Sequence, residues 1–332
     1  VDISYPNNIK QDIIEYLKSN KDKNDNILCQ YGCFILDGKI STNNNYKDAF
    51  EIMNSLAIKN NAEAQYRLAI CYKNGKGVIQ DYTQAFNWYT KSAEQGNMNA
   101  QNNLGFCYEN GEGVAKDNTL AVYWYTKSAE QGNQWAQCNL GNCYKYGQGV
   151  AQDYKQAVYW YKKAAEQGNC SAQNNLGVCY KYGQGVTQDY IQAINWYKKS
   201  AEQGHSDAQN NLGNCYKNGR GVAKDYTQAF NWYKKAADQG HRYAQNNLGY
   251  CYEKGQGVAQ DYTQAVYWYK KSADQGNNSA QYNLAICYEN GYGVAKDYAQ
   301  AISWYKKAAD GGHSDAQNNL ANCYYNGKIT TK

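Results

Sequence analysis

The residues with most chemistry to offer in this 332-residue chain are twelve cysteines and three histidines. Eight of the cysteines recur at a constant step of 36 residues: Cys71, Cys107, Cys143, Cys179, Cys215, Cys251, Cys287 and Cys323. Successive rungs of such a ladder stand a whole helical hairpin apart, roughly 8–10 Å or more by helix-packing distances. A disulfide needs Cα atoms within about 7 Å. The ladder is therefore expected to be a row of small buried hydrophobes with unreactive thiols. Cys29 and Cys33 are one helical turn apart, but two thiols are half a zinc site and no further Cys or His is near them in sequence. Cys138 and Cys170 stand where other units carry other residues.

His205, His241 and His313 each follow a glycine at one equivalent turn, where other units carry Asn. That places them in solvated loops without the partners that base catalysis or metal binding requires. Every unit also carries a Gly-x-Gly, but it lacks the preceding strand and the lysine–hydroxyl pair of a phosphate loop. These glycines read as turn residues. No catalytic residue, metal or cofactor is expected.

The elements that position these residues are helical hairpins. Trp88, Trp124, Trp160, Trp196, Trp232, Trp268 and Trp304 keep the 36-residue step, and so do the Ala-Gln pairs from Ala64 to Ala316. In the unit opening at Asn97, the spacing of Ala100, Leu104, Cys107 and Gly111 marks one face of a helix. The Gly-Glu-Gly at 111–113 breaks it, and Asp117 is placed to cap a second helix. In that helix Ala121, Trp124, Tyr125 and Ala129 form the inward stripe, with the Trp class expected to fill the space between hairpins. Gly105, Gly141, Gly177, Gly213 and Gly249 sit mid-helix, where glycine costs ~1 kcal/mol relative to alanine. Their recurrence implies close helix–helix approach. One hairpin cannot bury its apolar face alone, but stacked hairpins can. The expected fold is all-α, a right-handed α/α superhelical solenoid of 36-residue helix-turn-helix repeats.

Composition agrees. Hydrophobic residues at 42% and charged residues at 19% suit a folded chain, and the only proline is Pro6. A mean hydropathy of −0.88 and the absence of a long apolar run exclude a membrane span. The net charge of +5 is too mild to point to nucleic acid without a clustered basic face. Lys-Lys pairs such as Lys162-Lys163 and Lys198-Lys199 recur on the second helices, each followed by an acid three positions on. They are expected to pair along a solvated face. Nucleic-acid binding by that face is the weaker alternative.

The residues 172–204, AQNNLGVCYKYGQGVTQDYIQAINWYKKSAEQG, resemble the Sel1-like repeat, a relative of the tetratricopeptide repeat. The likeness spans roughly 62–327. It divides the chain into an N-terminal helix and degenerate repeat at 1–61, seven repeats at 62–313, and a terminal half-repeat and tail at 314–332. The resemblance implies a non-catalytic scaffold or adaptor, of the kind found in signalling, that binds partner proteins or extended peptides in a concave groove lined by first helices. Secreted cysteine-rich relatives carry two cysteines per unit, and some bind or hydrolyse β-lactams. Here the second helices have none, which argues against that enzymatic alternative. The thiol content fits a reducing, cytoplasmic compartment. Val1 rather than Met opens the chain, which leaves room for an upstream domain such as the protein kinase of some family members.

Positions that vary between units against a constant scaffold are candidate contacts. Trp135, Tyr146, Tyr182, Tyr243 and Tyr250 are expected as aromatic anchors. Asn103, Asn139, Asn175, Asn211, Asn247 and Asn283 hold one nearly constant position, with Asn142 and Asn214 close by. Each amide offers a donor and an acceptor. Together they could bracket a peptide backbone, or they could bond neighbouring helices instead.

Overall fold

A computed structural model describes residues 15–40 and 45–325. Of the expected N-terminal helix and degenerate repeat, 1–14 and 41–44 lie outside the described residues, and 15–20 are helical. Two compact units divide the chain at 1–167 and 168–332. The first contains α1 Asp25–Leu36, α2 Asn45–Ile58, α3 Ala62–Asn74, α4 Tyr82–Glu94, α5 Met98–Asn110, α6 Asn118–Glu130, α7 Gln134–Tyr146 and α8 Tyr154–Glu166. The second contains α9 Cys170–Tyr182, α10 Tyr190–Glu202, α11 Ser206–Asn218, α12 Tyr226–Asp238, α13 Arg242–Lys254, α14 Tyr262–Asp274, α15 Asn278–Asn290, α16 Tyr298–Asp310 and α17 Ser314–Tyr325. No strand occurs among the described residues. Within each unit consecutive helices pack in sequence, so each unit is an α/α solenoid.

Capping sets the length of the helices in the regular repeats. Asn97 accepts from the Ala100 amide at 3.0 Å to start α5, and Gly111 ends it in the left-handed conformation at φ 75°. Asp117, extended at φ −147°, accepts from Thr119 and Leu120 to start α6. Its own amide closes the turn on the Tyr108 carbonyl at 2.9 Å. Each such cap contributes about 1 kcal/mol. The second turn glycine, Gly113, has a different duty: a Cβ there would collide with the Tyr82 carbonyl of the preceding repeat. The Gly-x-Gly is thus one helix stop and one inter-repeat contact.

The histidines are a correction. They are not idle loop residues but stand in for the asparagine caps. His205, His241 and His313 accept through Nδ1 from Ala208, Ala244 and Ala316 at 3.4, 3.1 and 3.3 Å.

The mid-helix glycine follows the expected rule. A Cβ on Gly105 would lie 2.7 Å from the Tyr125 ring. The residue pressed against that glycine is the tyrosine, not the tryptophan before it. Tyr89, Tyr125, Tyr161, Tyr197, Tyr233, Tyr269 and Tyr305 are all 0% exposed. Trp88, Trp124, Trp196 and Trp232 are only half-buried, and Trp160, Trp268 and Trp304 sit at the edge of burial. The reason lies in the second helix itself. Alanine and tyrosine four residues on, as at Ala121 and Tyr125, stack on the inward line, and tryptophan falls to its flank. A lysine three residues on covers the indole: Lys307 lies 3.9 Å over Trp304 and Lys91 4.2 Å over Trp88.

The invariant glutamine of each Ala-Gln pair has a structural explanation that periodicity did not supply. Gln101 is buried, donates to the Ala93 carbonyl at 3.1 Å, and accepts from Gln131 at 2.7 Å. Both polar ends are satisfied, as a buried amide requires. The N-terminal hairpin α1–α2 continues the same packing with Ile35, Met53, Leu56 and Leu68 in one core.

Candidate partner-binding face

On α7, Trp135, Asn139, Asn142 and Tyr146 follow one another at helical spacing and therefore share one stripe. The stripe is exposed at its ends and half-buried at its centre: Trp135 is 54% and Tyr146 60% exposed, with Asn139 and Asn142 half-buried. On α13 the equivalent stripe is Tyr243, Asn247, Tyr250 and Lys254. Tyr243 is 52% exposed, and Tyr250 is half-buried beneath Lys217, 4.4 Å from its ring. On α9 the stripe holds Asn175 and Tyr182, the latter 60% exposed. On α11 it holds Asn211 and Asn214.

The constant asparagines bond neighbouring first helices. Asn139 Nδ2 donates to Asn102 at 3.1 Å in the first unit, and Asn102 in turn donates to Asn103. In the second unit Asn211, Asn247 and Asn283 donate to Asn174, Asn210 and Asn246 at 3.0, 3.0 and 3.1 Å. Asn174 and Asn210 are buried. One end of the amide at Asn139, Asn211, Asn247 and Asn283 is therefore spent on the scaffold.

The neighbouring position, which varies between repeats, answers to a partner beneath it. The buried tyrosine of each second helix carries its hydroxyl to the first-helix face. Tyr161 donates to Asn142 at 2.6 Å and Tyr233 to Asn214 at 2.8 Å. Where that position is apolar, at Phe106, Tyr250 and Ile286, a glutamate three residues further on takes over. Tyr125 donates to Glu109, Tyr269 to Glu253 and Tyr305 to Glu289, at 2.6–2.7 Å. Asparagine at one position and glutamate at the other are alternatives for one acceptor. The Tyr197 repeat has neither, since Val178 and Lys181 fill the two positions, and its hydroxyl is buried without a hydrogen-bond partner. Comparing the repeats pairwise, instead of one position at a time, exposes this linkage from sequence alone. Burial pushes the pKa of Tyr125, Tyr233, Tyr269 and Tyr305 well above the ordinary tyrosine range, so they stay protonated as donors.

In two of the Lys-Lys pairs the first lysine meets the acid one turn on, Lys234 with Asp238 at 2.9 Å and Lys198 with Glu202 at 4.0 Å. The second lysine lies over tryptophan instead.

The ladder cysteines are all buried, and no described cysteine is in a disulfide. Burial raises the thiols of Cys71, Cys107 and Cys251 to about 11 and those of Cys143 and Cys287 to about 12. No cluster of three metal-ligating side chains occurs among the described residues, and no described helix is long and apolar enough to cross a membrane.

Capped hairpins packed in sequence within each unit, with exposed aromatic stripes on their first helices, define an α-solenoid repeat protein. The Sel1 repeat model matches it over 62–97, 99–133, 136–169, 170–205, 206–241, 242–277, 278–313 and 314–332. The chain belongs to the Sel1 repeat family. Its fold is similar to that of c5321, a protective antigen present in uropathogenic Escherichia coli strains and displaying an SLR fold. The identity is 40% and the TM-score 0.78, over 94% of this chain and 67% of that one. A Sel1 repeat protein from Oxalobacter formigenes is 31% identical with a TM-score of 0.67, over 93% and 89% of the two chains. No curated protein sequence matches the chain. Solenoids of this family typically act as protein-interaction scaffolds and are generally non-catalytic.

Proposed function

We propose that the chain is a non-catalytic adaptor that binds protein segments along the stripes of its first helices. The observation that carries this reading is the pairing of exposed aromatics with half-buried amides on one stripe, as in Trp135, Asn139, Asn142 and Tyr146. Large aromatics are the residues that anchor interfaces. Beside them Asn139, which donates its NH2 to Asn102, has a carbonyl oxygen to offer a peptide backbone. The same reading extends to Tyr182 and Tyr243 in the second unit. We place the adaptor in the cytoplasm, where a row of reduced thiols persists.

The test is affinity capture with the wild-type chain against a Trp135→Ala/Tyr146→Ala chain. These exposed side chains can be removed without breaking the inter-repeat amide bonds. A partner held by the wild type and lost by an equally stable variant supports the stripe. Equal retention by both chains moves the interaction to another face.

A further inference from the structure

The repeats can be compared at one more pair of positions. In the first unit Lys73, at the end of α3, forms an ion pair with Glu112 in the turn after α5, Nζ to Oε2 at 2.9 Å. The equivalent positions in the second unit are Lys181, at the end of α9, and Arg220, in the turn after α11. It is the one place in the sequence where this pair is doubly cationic. Lys181 and Arg220 line a single depression together with Tyr190, Asn214, Cys215 and Asn218. Among the described residues neither cation has a carboxylate within ion-pairing distance, and their recorded contacts are with the rings of Tyr182 and Tyr190. The adjacent acid, Asp189, is committed to capping α10 through Ile191 and Gln192.

Of the two amides in the lining, Asn218 donates its NH2 to the Asn214 main-chain carbonyl at 2.9 Å, and Asn214 supplies the donor. Asn214 has its carbonyl oxygen bonded to Tyr233, so the group that remains to it is its NH2. Two like charges around one depression repel, and an opposite charge from outside relieves that repulsion. Guanidinium and ammonium groups flanked by an amide NH2 suit a carboxylate. Beside them Tyr182 presents a ring that is 60% exposed. Arg220 is itself exposed and Lys181 half-buried, so a ligand can enter from solvent. Cys215 registers both charges. Burial raises its thiol pKa, and Lys181 and Arg220 both act to lower it. The equivalent Cys107 is also raised by burial, with Lys73 lowering and Glu112 raising it.

We propose that Lys181 and Arg220 form a docking corner for an acidic side chain of a bound peptide, with Tyr182 packing against the residue next to it. This deepens the peptide-binding reading above and rests on it. The repeats themselves supply the inactive variant. Arg220→Glu places at this turn the residue that stands at Glu112, so Lys181 acquires the ion pair that Lys73 already makes, in a geometry the fold accommodates.

The experiment is selection of a displayed random-peptide library on the full wild-type chain and on Arg220→Glu, both checked by thermal unfolding. The expected result is enrichment of Asp or Glu by the wild type, and at least tenfold weaker binding of those peptides by the variant. Replacing the selected Asp by Asn should cause a similar loss. Peptides without acids, or acidic peptides held equally by both chains, overturn the corner while leaving peptide binding intact. If the wild type enriches no peptide, the adaptor reading fails. The corner is then read directly by titrating N-acetyl-aspartate and following the NMR signals of Arg220 Nε and the Asn214 side chain. Shifts in the wild type alone support it, and no shift overturns it. Inorganic phosphate acting at lower concentration than the carboxylate overturns the assignment to an acidic side chain.

Discussion

The corner at Lys73 and Glu112 and the corner at Lys181 and Arg220 are one place in two repeats, and they have opposite fates. The first closes on itself through an ion pair at 2.9 Å. The second leaves two cations around a depression that contains Asn214 and Cys215. The scaffold beneath is the same: a fully buried tyrosine, a left-handed glycine stop and an aspartate cap. A repeat protein can therefore change its surface chemistry by one residue in a turn while the core that supports it stays constant. Local conflict of this kind, without compensation among the described residues, is what functional positions display.

The largest effect expected in the second unit comes from its core. Tyr197→Ala removes a fully buried ring that packs on Gly177 and should cost about 3–5 kcal/mol in denaturant unfolding. Trp196→Ala, at the half-buried neighbour, should cost well under half as much. Equal losses would show that tryptophan shares the inward line.

A smaller effect separates repeats by their hydroxyls. Tyr233→Phe deprives Asn214 of its donor and should cost about 1 kcal/mol. Tyr197→Phe removes a buried hydroxyl with no partner and should be neutral or stabilising by thermal unfolding. A cost at Tyr197 equal to that at Tyr233 would remove the distinction between the two repeats.

The smallest effect reads the two corners through their cysteines. Both thiols are raised from the ordinary value of 9.0, Cys107 to about 11. A raised folded pKa gives stability that is complete below the unfolded value and lost as pH rises through the folded one. For Cys107 that window runs from about 9 to about 11. Cys215, with two cations and no nearby acid among the causes of its shift, should titrate lower and label faster with iodoacetamide at pH 9. Arg220→Glu should slow it toward Cys107. Identical labelling in all three cases would place the cations too far from the thiol to matter.

Much of this was legible in the residues. The cap asparagines and aspartates, the glycine stops, the close-packed mid-helix glycines and the buried cysteine ladder all follow from local backbone rules or from the 36-residue period. The candidate stripes were also legible, because positions such as Trp135 and Tyr146 vary against a constant background. Three readings needed the structure. Trp196 belongs to the flank and Tyr197 to the core, since adjacent aromatics cannot both face inward and only packing against Gly177 selects one. His205 caps α11 because its ring nitrogen reaches the Ala208 amide. Asn211 bonds Asn174 in the preceding repeat, a contact that sequence spacing left equal with solvent exposure.

By itself, then, the sequence determined the hairpin, its stops and the stacking of like units, because capping, helical periodicity and burial of small residues act over short stretches of chain. Tertiary structure decided which of the ladder asparagines are spent on the preceding repeat. That choice depends on distances between residues in successive repeats. There an asparagine meets an asparagine of the preceding repeat at 3.0 Å, and a lysine either pairs with a glutamate or shares a depression with an arginine.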